Sequence, residues 1–118
     1  MFEDNESNIE LVDQIIFENR PSVKFFAQTD GINAVEFATE IFPDLILLDF
    51  NLPVKQGDQI LEEILNTPKL KHIPVIMVSA DAMPHQIRNL LKIGARHYLT
   101  KPINVSQFLK TIDQYLIK

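Results

Sequence analysis

Three carboxylates, one hydroxyl and one ammonium in this chain each follow directly on a short apolar run. Met1-Phe2 precedes Glu3 and Asp4, Leu45-Ile46-Leu47-Leu48 precedes Asp49, Val75-Ile76-Met77-Val78 precedes Ser79, and Tyr98-Leu99-Thr100 precedes Lys101. If those runs are neighbouring parallel strands, the five groups collect at one sheet edge, where ligands gather in open α/β sheets. Clustered carboxylates repel one another unless a cation sits among them. Oxygen donors with room for water suit Mg²⁺ or Mn²⁺, and the main-chain carbonyl of Asn51 could add another oxygen. With that charge cancelled, Asp49 could attack phosphorus as a nucleophile. Ser79 could hydrogen-bond a phosphoryl oxygen and Lys101 could pair with another. Phosphoryl transfer asks mainly for positioning and charge neutralisation. Each residue alone has an ordinary alternative: a terminal acid, a serine ending a strand, a solvated lysine, and for Tyr98 a packing aromatic. The weight lies in four strand ends that each carry a matching group. His72, His85 and His97 show no ligand spacing and receive no role.

The elements that must hold these groups alternate. The run before Asp49 sits between Pro43 and Pro53 and has the continuous apolar character of a strand buried on both faces. Residues 8–19 place Ile9, Val12, Ile15 and Ile16 on one helical face, with Ser7 or Asn8 as cap and Pro21 as stop. Val23, Phe25 and Phe26 read as a second strand ended by Thr29-Asp30-Gly31, and Val35, Ala38, Ile41 and Phe42 as a second helix. Ile60, Leu61, Ile64 and Leu65 mark a third helix, closed by Pro68. The strand ending at Ser79 starts at Ile73-Pro74, and Pro there is tolerable because the ladder has barely begun. Ile87, Leu90 and Leu91 mark a fourth helix that stops at Gly94. After Tyr98-Leu99-Thr100-Lys101 and Pro102, a last helix carries Val105, Phe108, Leu109, Ile112, Tyr115 and Leu116. Strand then helix, repeated five times, implies an α/β domain: a parallel sheet covered on both faces by right-handed crossovers.

Composition narrows the function. A chain of 118 residues makes about one domain, expected to span residues 1–118 with a first strand that is short or cut at its edge. The absence of cysteine excludes disulfides and thiolate zinc sites and fits a cytoplasmic protein. A net charge of −5 argues against nucleic-acid binding through a basic face. No apolar run approaches the roughly 20 residues needed to span a bilayer, and acids within the first few residues break any signal-peptide pattern.

Glu3-Asp4-Asn5 with Asn8, Leu45-Ile46-Leu47-Leu48-Asp49 with Leu52-Pro53 and Gly57, Pro74-Val75-Ile76 through Ser79-Ala80, and Tyr98-Leu99-Thr100-Lys101-Pro102 together resemble the receiver domain of two-component response regulators. The resemblance covers nearly the whole chain. It implies a flavodoxin-like, doubly wound sheet of five parallel strands in the order 2-1-3-4-5, with five helices in three α/β/α layers. It makes Asp49 the phosphoacceptor, Glu3 and Asp4 the metal acids, Asn51 a carbonyl ligand, Ser79 the switch hydroxyl, Tyr98 the switch aromatic and Lys101 the phosphate-pairing lysine. The peptide before Pro102 would be cis. The implied function is a switch that takes a phosphoryl group from a partner phosphohistidine, with Mg²⁺ or Mn²⁺, and changes the surface of its fourth helix and fifth strand. Its partners would be a histidine kinase or histidine phosphotransfer protein and a downstream protein, with a weak homodimer also open. The Glu-Asp-Asn opening and Ala82-Met83-Pro84 look most like receivers attached to hybrid sensor histidine kinases. As an isolated domain it would not be an enzyme beyond its own phosphorylation and dephosphorylation. Two alternatives stand beside this: a receiver-like interaction module that is never phosphorylated, and an aspartyl-nucleophile phosphatase of the haloacid-dehalogenase type. The latter wants an acid two residues past the nucleophile, where this chain has Asn51.

Overall fold

The apolar run ahead of Asp49 forms the central strand of the structure, a computed structural model that describes residues 1–81 and 83–116. In chain order the elements are α1 (Glu6–Asn19), α2 (Ala34–Ile41), β1 (Ile46–Asp49), α3 (Gly57–Leu65), β2 (Val75–Ser79), α4 (Pro84–Ile93), β3 (His97–Thr100) and α5 (Val105–Leu116). The three strands form a parallel sheet in the order β1-β2-β3. Ile46 is paired with Val75, and Ile76 with His97. All of β1 and β2 is buried, as their unbroken aliphatic runs require.

The first two expected strands take a reduced form. Phe2 bridges Leu48 on one side and Gln28 on the other, both in parallel sense. The five segments therefore still lie in the order 2-1-3-4-5, but the first two in chain order pair through single bridges instead of ladders. The segment at 23–26, read as a strand, has no regular structure, and its pairing falls at Gln28. The amino group of Met1 donates to the Phe26 carbonyl at 2.8 Å, and its burial pulls its pKa down to about 5.

The sheet divides the interior in two. Phe2, Leu48, Ile60, Leu61, Ile64 and Met77 pack on the side of α2 and α3. Val12, Ile15, Ile16, Leu47, Ile76, Phe108 and Ile112 pack on the side of α1 and α5. Alternate residues of β1 and β2 serve opposite sides, as a pleated strand dictates. Each such buried side chain stabilises the fold by about 1.5–3 kcal/mol relative to exposure.

Local chemistry sets the element ends. The cap of α1 is Asn5, not Ser7 or Asn8: its side chain accepts from the N–H groups of both. Pro84 opens α4, where its missing N–H costs nothing. Gly94 follows α4 at φ 140°, a conformation other residues rarely adopt. Lys101 lies just past β3, and the Lys101–Pro102 peptide is cis. Of the Ala82-Met83-Pro84 stretch, Ala82 lies outside the described residues, as do the final two residues of the expected 1–118 domain.

Candidate functional site

Five of the seven singled-out residues meet at the carboxyl edge of the sheet. Glu3 follows the Phe2 bridge, Asp49 closes β1, Ser79 closes β2 and Lys101 follows β3. Glu3 is 0% and Asp49 2% exposed, whereas neighbouring Asp4 is open to solvent. One carboxylate oxygen from each of Glu3, Asp4 and Asp49 lies within 4.8 Å of the others. The Lys101 ammonium reaches both buried acids, at 2.7 Å from Glu3 Oε1 and 3.1 Å from Asp49 Oδ2.

Two buried carboxylates beside one ammonium leave the cluster short of positive charge. Burial works against the charge of Lys101, but the attraction of Glu3 and Asp49 outweighs it and raises its pKa above the ordinary value. Main-chain donors take other lone pairs: Asn5 N–H donates to Glu3 Oε2, and Asn51 N–H to Asp49 Oδ1, each at 3.2 Å. Glu3 Oε1 has only its ionic contact with Lys101 and no directed hydrogen bond among the described residues. A buried oxygen so placed, beside two more carboxylates, fits a small divalent cation. Glu3, Asp4 and Asp49 could hold one.

Ser79 and Tyr98 approach the same turn. Ser79 Oγ, fully buried, accepts the Asp81 N–H at 3.1 Å. Tyr98, on β3 opposite Met77, donates its hydroxyl to the Asp81 carbonyl. Its ring is therefore tethered over the turn after β2, half-buried. Asp81 carries no signal in the sequence for this part, because it acts through its main chain.

The loop after Asp49 is held from behind by Gly57, whose N–H donates to the Phe50 carbonyl at 2.7 Å. A Cβ at Gly57 would stand 2.5 Å from the Asp49 carbonyl oxygen and 2.7 Å from Phe50 Cα. Both are main-chain atoms that cannot swing aside. Gly57→Ala is expected to cost about 1–3 kcal/mol, read as a lower urea midpoint at unchanged slope, with amide shifts at Asp49 and Phe50. An unchanged midpoint would mean that the loop yields freely. In the same loop Val54 stands 84% exposed at φ 70°. A β-branched residue there is a backbone outlier, and only the preceding Pro53 hints at a turn.

Residues 1–113 match the family model described as the response regulator receiver domain. The polar-differentiation response regulator DivK of Brucella ovis is 36% identical over 114 residues, covering 97% of this chain and 91% of that protein. The receiver domain of a Pseudomonas aeruginosa sensor histidine kinase, solved with magnesium in its active-site cleft, superposes with a TM-score of 0.87 at 26% identity, covering 99% of this chain and 94% of that one. The phosphorylated cyanobacterial phytochrome response regulator RcpA superposes with a TM-score of 0.84 at 32% identity, covering 98% of this chain and 91% of that one. No helix among the described residues is long and apolar enough to cross a membrane.

Proposed function

Because this chain belongs to the response regulator receiver domains of two-component signalling, we propose that it is a phosphoacceptor switch whose acceptor is Asp49. Receiver domains are signalling switches and generally not enzymes, and the reading here is of one such domain over residues 1–118. A partner phosphohistidine, on a kinase or a phosphotransfer protein, is the donor. An Asp49 carboxylate oxygen forms the new bond to phosphorus while the P–N bond breaks, and the imidazole leaves with the electron pair. The observation that carries this reading is the buried Asp49 carboxylate held beside Lys101 at 3.1 Å, with Glu3 and Asp4 in reach. Glu3, Asp4, Asp49 and the Asn51 carbonyl would hold Mg²⁺ or Mn²⁺, which when bound neutralises the carboxylates and an incoming phosphoryl group. Lys101 pairs with a phosphoryl oxygen, and Asn51 N–H orients Asp49. The relative from Pseudomonas aeruginosa coordinates magnesium, and RcpA is phosphorylated; both support this assignment.

The output is a change of surface. Phosphorylation adds nearly two negative charges and three acceptor oxygens at Asp49. Ser79 turns toward them and releases the Asp81 N–H, and Tyr98 leaves the Asp81 carbonyl and rotates inward. The face of α4 and β3 then differs in what it offers a partner protein. Beryllofluoride, an aspartyl-phosphate mimic, should therefore shift amides from the Asp49 pocket out to Tyr98 and α4 in wild type. In Ser79→Ala the shifts should stay near the pocket. Equal spread in both proteins would show that this hydroxyl does not couple site to surface.

A further inference from the structure

The turn that leads from the Gln28 bridge into α2 is built on Asp30-Gly31, the one place in the chain where an aspartate or asparagine precedes a glycine. Asp30 Oδ1 accepts the Ile32 N–H at 3.0 Å. An Asx turn of this kind curls the carboxyl back over the peptide nitrogen of the next residue, here Gly31. The Gly31 N–H has no hydrogen-bond partner among the described residues. Asp30 is half-buried, so its carboxyl stays within reach of water.

Two other turns have the same shape and lack the rest. Asp49 Oδ1 accepts the Asn51 N–H at 3.2 Å, but the intervening Phe50 N–H is held by the Val78 carbonyl at 3.0 Å. Asn5 Oδ1 accepts the Ser7 N–H at 2.9 Å, but the intervening residue is Glu6, and a side chain on the attacking residue slows ring closure. Gly31 has no side chain to interfere. Packing keeps it so: a Cβ there would overlap the wholly buried Ile60 and stand 3.5 Å from Leu52 Cδ1. The close fit that requires glycine thus also leaves the nitrogen beside Asp30 open.

We propose that Asp30 is a modification site, where the folded chain converts aspartate to isoaspartate with water as the only co-reactant. The Gly31 nitrogen attacks Asp30 Cγ. A C–N bond forms, and the carboxyl hydroxyl leaves with the amide proton as water. Water then opens the five-membered imide. Where it breaks the bond from nitrogen to the Asp30 α-carbonyl carbon, the main chain runs on through Cβ and Cγ, and the freed α-carboxyl becomes the side group. Charge is kept, and the main chain gains one methylene. That extra length falls between the Gln28 bridge and the Gly31 carbonyl, which accepts the Ala34 N–H at 3.2 Å at the start of α2. It presses Gly31 on Ile60 of α3 and on Leu52, in the loop that follows Asp49. A covalent change at Asp30 is therefore felt in the acceptor loop.

The test incubates the full chain for weeks at body temperature and neutral pH, in water enriched in oxygen-18, with neither Mg²⁺ nor a phosphodonor. The tryptic peptide of residues 25–55 is then fragmented by electron transfer, which cleaves the new Cα–Cβ main-chain bond. Expected is isoaspartate at position 30 carrying one heavy oxygen, methylated by an isoaspartyl methyltransferase with S-adenosylmethionine, and none at Asp49 or Asn5. Asp30→Glu keeps the charge but needs a six-membered ring, and should lose the signal. Asp30→Asn reaches the same imide by expelling ammonia, and should convert faster. The aged fraction should show amide shifts at residues 28–34, Leu52 and Ile60. Conversion at Asp30 in the urea-unfolded chain but not in the folded one would overturn the proposal. So would isoaspartate without the heavy oxygen, a signal that survives Asp30→Glu, or equal conversion at Asp49.

Discussion

Asp49→Asn is expected to reduce phosphoryl labelling to background. The reason is chemical before it is structural: an amide oxygen has the shape of a carboxylate oxygen but too little electron density to attack phosphorus. The amide keeps an acceptor for the Asn51 N–H and removes one of two buried acids crowded around Lys101. The variant should therefore fold at least as well as wild type, and loss of labelling cannot be assigned to unfolding. Incubation with acetyl phosphate and Mg²⁺, followed by intact-mass spectrometry, separates the outcomes. Undiminished labelling of Asp49→Asn would place the acceptor elsewhere and end the proposed assignment.

Lys101→Met should have the largest effect on stability. The ammonium touches two acids that are almost wholly buried. Removing one partner of a buried ionic cluster costs about 3–5 kcal/mol, because the remaining charge is left uncompensated. The sign of the pH dependence follows from the raised pKa of Lys101. A lysine held above its ordinary 10.5 binds its proton more tightly in the folded chain than in the unfolded one. Its contribution is thus complete at pH 7 and fades only as pH climbs past that value through the raised folded one. Mg²⁺ should stabilise the variant more than wild type, since a divalent ion replaces the missing charge. Urea melts at neutral and alkaline pH, with and without Mg²⁺, test both statements; a metal-independent deficit would mean that the lysine acts through packing alone.

The groups at the sheet edge were legible because each ends a run whose burial is evident from its residues. Leu45 to Leu48 and Val75 to Val78 can only be interior strands, and Asp49 and Ser79 follow from where those runs stop. The edges were harder. Val23, Phe25 and Phe26 have strand-like residues, but pairing depends on a neighbour, and the Phe2 bridge falls beyond them at Gln28. The cap of α1 was ambiguous for a different reason. Asn5, Ser7 and Asn8 can all accept main-chain hydrogen bonds, and the choice of Asn5 depends on where the Phe2 bridge delivers the chain. The left-handed turn at Val54 and the role of Asp81 are main-chain facts with no side-chain signature.

For the proposed switch, the double hold on Asp81 would set a noise floor. Ser79 grips its N–H and Tyr98 its carbonyl, so a single peptide segment is pinned from two strands. Each hydrogen bond contributes about 1 kcal/mol net, and releasing both costs about 2 kcal/mol, a ratio of roughly thirty to one at room temperature. About one resting molecule in thirty would then display the released surface with no phosphate on Asp49. Tyr98→Phe removes one pin and should raise that basal leak about fivefold, an amount that a partner's background signal would register directly.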